Sequence, residues 1–182
     1  DKLNSTLTSD EMTLTLKQES IDQHSLTLVV QSFKLKTVEF YWKLMQSSAS
    51  LNENVFKSDL VIRKALLNEN VEVFDFVTKI YEKIFNTSHI QSLILPKKEN
   101  YFKRPSIIDD ALNYTTNIKM VKKLVKYLQE LFKDNSKKLK DLFELTDKRH
   151  ARTALEDEAN NEDKSEDEIL KFKIMSDLYE SL

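Results

Sequence analysis

The stretch SIIDDALNYTTNIKMVKKLVKYLQELFK, residues 106–133, decides the fold class. Ile108, Leu112, Thr115, Ile118, Val121, Val125, Leu128 and Phe132 recur at three- and four-residue steps. That is the period of a helix face, not of a strand. Ser106 follows Pro105 and stands three residues before Asp109, which marks a helix start. Asp134-Asn135-Ser136 supplies the stop. The spacing therefore predicts one long helix over about 107–133.

The same period extends outward from it. Downstream, Leu139, Leu142 and Phe143 mark a shorter helix over about 137–146. Upstream, Val73, Phe74, Val77, Ile80, Tyr81 and Ile84 mark a helix over about 71–85, and Phe56, Leu60, Ile62 and Leu66 another over about 55–67. Val30, Phe33, Val38, Tyr41, Leu44 and Met45 give a further helix over about 25–46. Residues 88–105 carry both prolines, Pro96 and Pro105, and read as the main irregular connection.

Composition agrees with this reading. The chain of 182 residues contains no glycine, so primed β-turns lose their favoured residue and hairpin-rich folds are disfavoured. The fold expected is all-α: a bundle or stack of about five to six helices. Four segments are expected: a polar arm over 1–22, a helical core over 23–154, an acidic linker over 155–168 and a terminal amphipathic helix over 169–182. The linker, LEDEANNEDKSEDE, carries eight acids against one lysine. Ser165 and Glu168 form a capping box before the terminal helix, whose helical run is expected over about 166–180.

The residue counts also exclude chemistry. Without glycine there is no glycine-rich phosphate cradle, and without cysteine there is no disulfide, thiolate nucleophile or thiolate metal site. His24, His89 and His150 lie far apart, and none has a second ligand at helical spacing. Acid pairs such as Asp109-Asp110 stand at a helix start, where carboxylates suit the dipole. The sequence therefore predicts no catalytic residues, no metal, no cofactor and no small-molecule substrate. No run of eighteen apolar residues offers a membrane span. An intracellular location, cytoplasm or nucleus, is the expectation. The Asn-x-Ser/Thr triplets at Asn4, Asn86 and Asn113 read as chance in an asparagine-rich chain.

What remains is surface. Lys119, Lys122, Lys123, Lys126 and Lys133 fall on the face opposite the apolar stripe, and Lys97, Lys98, Lys103 and Arg104 stand upstream with Tyr101 and Phe102 between them. A solvated lysine face is the simpler reading. A phosphate-binding surface is the alternative, although lysine dominance disfavours base-specific recognition. A calmodulin-target reading of Ile118, Val125 and Leu131 is weaker than core packing. In FYWKLM, residues 40–45, Phe40, Tyr41 and Trp42 point in three directions, so at least one should leave the core, with Trp42 as candidate anchor. In the terminal helix Ile169, Phe172, Met175 and Tyr179 form an apolar face needing a groove, on this domain or a partner. Ser165, followed by Glu-Asp-Glu, is a candidate phosphosite as well as a helix cap.

The function expected is a non-catalytic protein–protein interaction module, a subunit or adaptor of a larger complex. The alternatives are a helical nucleic-acid-binding domain using the lysine-rich 97–140 surface, and a bacterial surface lipoprotein domain.

Overall fold

The computed structural model describes residues 23–47, 56, 58–95, 106–144, 158–160 and 163–182. Among these residues there is no strand, and the principal elements are nine helices. They are α1 Gln23–Ser32, α2 Leu35–Ser47, α3 Leu60–Leu67, α4 Val71–Ile84, α5 Thr87–Ile94, α6 Ile107–Tyr114, α7 Ile118–Leu131, α8 Ser136–Glu144 and α9 Glu166–Glu180. The all-α class stands. The number of helices is larger than the five to six expected, because three segments read wrongly. The polar arm over 1–22 lies outside the described residues, as do residues 155–157, 161 and 162 of the acidic linker.

Each misreading has a physical cause. The helix expected over 25–46 breaks at Phe33–Lys34 into α1 and α2. Asn68 reaches across from the end of α3, its Nδ2 donating to Val30 O at 2.6 Å and to Phe33 O at 2.9 Å. Those carbonyls, orphaned at a helix end, gain a partner that no local pattern announces. The connection expected over 88–105 begins instead with α5, whose N-cap is Asn86; its side chain accepts from His89 N at 2.9 Å. Asn86, which ends the periodic stretch of α4, is the cap of the next helix. The helix expected over 107–133 divides at Thr115-Thr116-Asn117, with Thr115 extended at φ −96°, ψ 125° and Asn117 capping α7.

That corner between α6 and α7 is held by two distant side chains. Glu69, in the turn between α3 and α4, sits at φ 59°, the left-handed region that usually calls for glycine. Its carboxylate accepts from the Thr116 backbone N–H and from Thr116 Oγ1, at 2.9 and 3.0 Å for the hydroxyl. Asn117 Nδ2 donates to Glu69 O at 2.9 Å. From the other side comes Lys171 of α9, 5% exposed, its Nζ donating to Leu112 O at 3.0 Å and Thr115 O at 2.9 Å. A cation thus meets the carbonyl end of α6 and an anion the amide end of α7, the signs their dipoles favour.

The core is continuous through the elements. Its largest fully buried members include Tyr81, Phe56, Phe74, Phe132 and Phe143, and α9 adds Met175 and Leu178. Trp42, Phe56 and Tyr81 meet edge-on at 5.6 and 5.4 Å, joining α2, residue 56 and α4. Gln91 ties α5 to the end of α7 through a 2.7 Å bond from Nε2 to Leu131 O. One charged cluster is buried: the Arg63 guanidinium of α3 donates to Asp59 and, at 2.7 Å, to Asp110 of α6. Arg63 is 6% exposed and the aspartates 3% and 7%.

Removing the arginine leaves two buried carboxylates without their counter-ion, which typically costs about 3–5 kcal/mol. Arg63→Met is therefore expected to lower the unfolding free energy measured by urea denaturation by that amount, with Arg63→Lys in between because lysine cannot present the same fork. An unfolding free energy within about 0.5 kcal/mol of the parent would show that the cluster adds nothing.

Candidate functional site

Three surfaces can engage something other than the chain itself. The first is the α1–α2 hairpin. Five large hydrophobic side chains are exposed among the described residues, and three belong to this pair: Leu28 at 49%, Phe33 at 48% and Phe40 at 39%. Phe33 was expected in the core, but the break between the helices turns it outward. In FYWKLM the residue that leaves the core is Phe40. Tyr41 is buried, and Trp42 is half-buried against Phe56. Trp42 also borders a groove of about 250 Å³ shared with Phe76 and Ile80 of α4.

The second surface is a groove of about 780 Å³ between α4, α7 and the start of α5. Ile90, Leu131 and Tyr127 contribute to its lining. The Tyr127 hydroxyl is buried, and burial pushes its pKa above the ordinary tyrosine value, with the Glu82 charge adding to the effect. The rim alternates in sign. Lys123 pairs with Asp75 at 2.5 Å, while Lys79, Lys126 and Lys133 face Glu82, Glu130 and Asp134. Such a rim has no net preference for anions or cations.

The third surface is the outer face of α7. Lys119, Lys122, Lys126 and Lys133 are exposed, and among the described residues no carboxylate pairs with any of the four. Lys123 belongs to the α4 groove instead. The core side of α7 is Met120, Val121, Leu124, Leu128 and Leu131, so Ile118 and Val125 are half-buried flanks of the stripe. Lys97, Lys98, Lys103 and Arg104 lie outside the described residues, as do Tyr101 and Phe102.

The terminal helix is already occupied by its own chain. It packs on α7 and α6, burying Lys171, Met175 and Leu178. Phe172 and Tyr179 are half-buried beside them, under Lys164 at 5.1 Å and Lys140 at 5.2 Å. Ile169 is half-exposed, and Leu170 faces solvent. Lys171, which apolar periodicity passes over, anchors the helix. Ser165 is exposed at the N-cap, where its Oγ accepts from Glu168 N at 3.4 Å and donates to Glu168 Oε2 at 2.7 Å. Of the histidines, His89 lies in α5, stacked on Phe85 at 4.5 Å; His150 is outside the described residues.

Among the described residues no group of three or more His, Cys, Asp or Glu side chains is arranged to hold a metal ion. No described helix is long and apolar enough to cross a membrane. No protein-family model, curated protein or solved structure matches the chain.

The Ser165 cap gives a titration. Hydrogen bonds from the Ser165 side chain and backbone hold the Glu168 carboxyl below its ordinary value of 4.5. A lowered folded value means that the cap contributes above the unfolded pKa and is lost as pH falls through the folded one. Carboxyl NMR should place Glu168 below 4.5, and Ser165→Ala should raise it toward that value, the bond from the residue 165 backbone N–H remaining. Titration at the ordinary value in both proteins would rule out the box in solution.

Proposed function

We propose that this chain is a non-catalytic helical interaction module, a subunit or adaptor that docks a protein partner through its α1–α2 hairpin. The observation that supports this reading is the concentration of exposed large hydrophobics there: Leu28, Phe33 and Phe40 within thirteen residues of chain. Large apolar side chains held out of the core, aromatics above all, are common anchors of interfaces. Trp42, on the far side of α2 from Phe40, borders a separate groove with Phe76 and Ile80 that could take a partner's side chain. A site of action within the cell, cytoplasm or nucleus, belongs to the same proposal.

Phe33→Asp and Phe40→Asp test it together. Both side chains are substantially exposed, so the double variant is expected to melt within a few degrees of the parent. Cross-linking and affinity purification from the native source should then recover a partner with the parent and lose it with the variant. Recovery of the same proteins by both would refute docking at this hairpin.

A further inference from the structure

The outer face of α7 takes no part in that docking surface. Lys119, Lys122 and Lys126 fall within about 60° of one another around the helix axis, opposite the buried stripe. Lys133, in the turn that follows, extends the row to about 20 Å. Glu130 and Asp134 flank only its C-terminal end. Five residues before Lys119, at the last position of α6, stands Tyr114, 66% exposed. No other large hydrophobic among the described residues is as exposed. The chain carries a formal charge of −2, so a row of exposed lysines, free of carboxylates at Lys119 and Lys122 among the described residues and bordered by Glu130 and Asp134 only at its end, is a local departure from its average.

We propose that this face binds single-stranded nucleic acid, with phosphates along Lys119, Lys122, Lys126 and Lys133 and a base stacked on Tyr114. Lysines act as point charges that neutralise phosphates without reading base edges. An exposed aromatic adds stacking that any base satisfies, and only an unpaired strand has bases free to stack. A lipid surface is the poorer fit, since a membrane-lying helix sinks its apolar face into the bilayer, and the apolar face of α7 is already buried in the core. Here the other exposed large hydrophobics are on α1, α2 and α9 or at the α1–α2 junction, and none is on α7.

The test is fluorescence anisotropy of a labelled oligothymidylate of about 20 nucleotides, titrated with the whole chain across a range of salt. Binding at low salt is expected, weakening steeply as salt rises. Lys119→Glu, Lys122→Glu and Lys126→Glu combined should weaken it at least tenfold and reduce the log–log salt slope by about 2. Tyr114→Ala should weaken it about tenfold with the slope unchanged. Lys36→Glu, Lys83→Glu and Lys173→Glu combined make the same charge change on exposed positions of α2, α4 and α9, and should bind nearly as the parent does. If the first triple variant loses its helical circular dichroism, Lys122→Ala with Lys126→Ala replaces it, with a slope change of about 1.4. No binding at low salt would overturn the proposal. So would equal losses in the two triple variants, a duplex bound as tightly as the single strand, or binding to phosphatidylserine vesicles without binding to the strand. A Tyr114→Ala variant that binds like the parent would overturn the stacking contact.

Discussion

The corner at Thr115-Thr116-Asn117 is the constraint on which the arrangement of the bundle depends. Two helices meet there end to start, and a chain without glycine has no cheap way to satisfy the groups they leave open. Lys171 supplies donors for the α6 carbonyls, and Glu69 supplies acceptors for Thr116 and a carbonyl for Asn117. The two clamps come from residues 46 before Thr115 and 56 after it. In fixing one corner they also fix where α3, α4 and α9 sit relative to α6 and α7. The Arg63 cluster repeats the device a helix away, joining α3 to α6 through charges as well as through the core they share. Glu69 tolerates a left-handed backbone because its side chain is used there; glycine would relieve the strain and lose the bonds.

Helix class, the capping boxes at Ser106 and Ser165, and the span of α4 and α9 were legible because each depends on residues within a turn or two of one another. Breaks inside periodic stretches were not. Thr115 and Ile118 continue the 107–133 stripe in sequence, and the interruption is stabilised by Glu69 and Lys171, which no window around 115 contains. The same is true of Phe33, whose outward turn follows from a helix end capped by Asn68. Asparagine frequency held a usable signal: Asn70, Asn86 and Asn117 are all N-caps, and reading each as a start rather than a stop recovers α5 and α7.

The surfaces divide along similar lines. Lysines opposite an apolar stripe follow from helical geometry alone, so the exposed row on α7 was visible in advance, apart from Lys123, which a carboxylate on α4 claims. That one of three consecutive aromatics must leave the core was also visible; which one was not, because the answer depends on where Phe56 and Tyr81 lie. Lys171 shows why a terminal helix should not be judged by its apolar residues alone. Its burial, with Met175 and Leu178 on the same side, makes α9 part of the core it covers.

Trp42, the single tryptophan, lies on α2, and its ring packs edge-on against Phe56 rather than against any residue of α9, so its fluorescence reports on the bundle independently of the terminal helix. Urea unfolding of the chain ended after Asn161, followed through Trp42, measures whether α9 and the α6–α7 corner hold the whole bundle. Losing the burial of Met175 and Leu178 alone is expected to remove at least about 3 kcal/mol in one cooperative transition. A Trp42 transition with the midpoint and slope of the full chain would contradict the integral role assigned to the terminal helix.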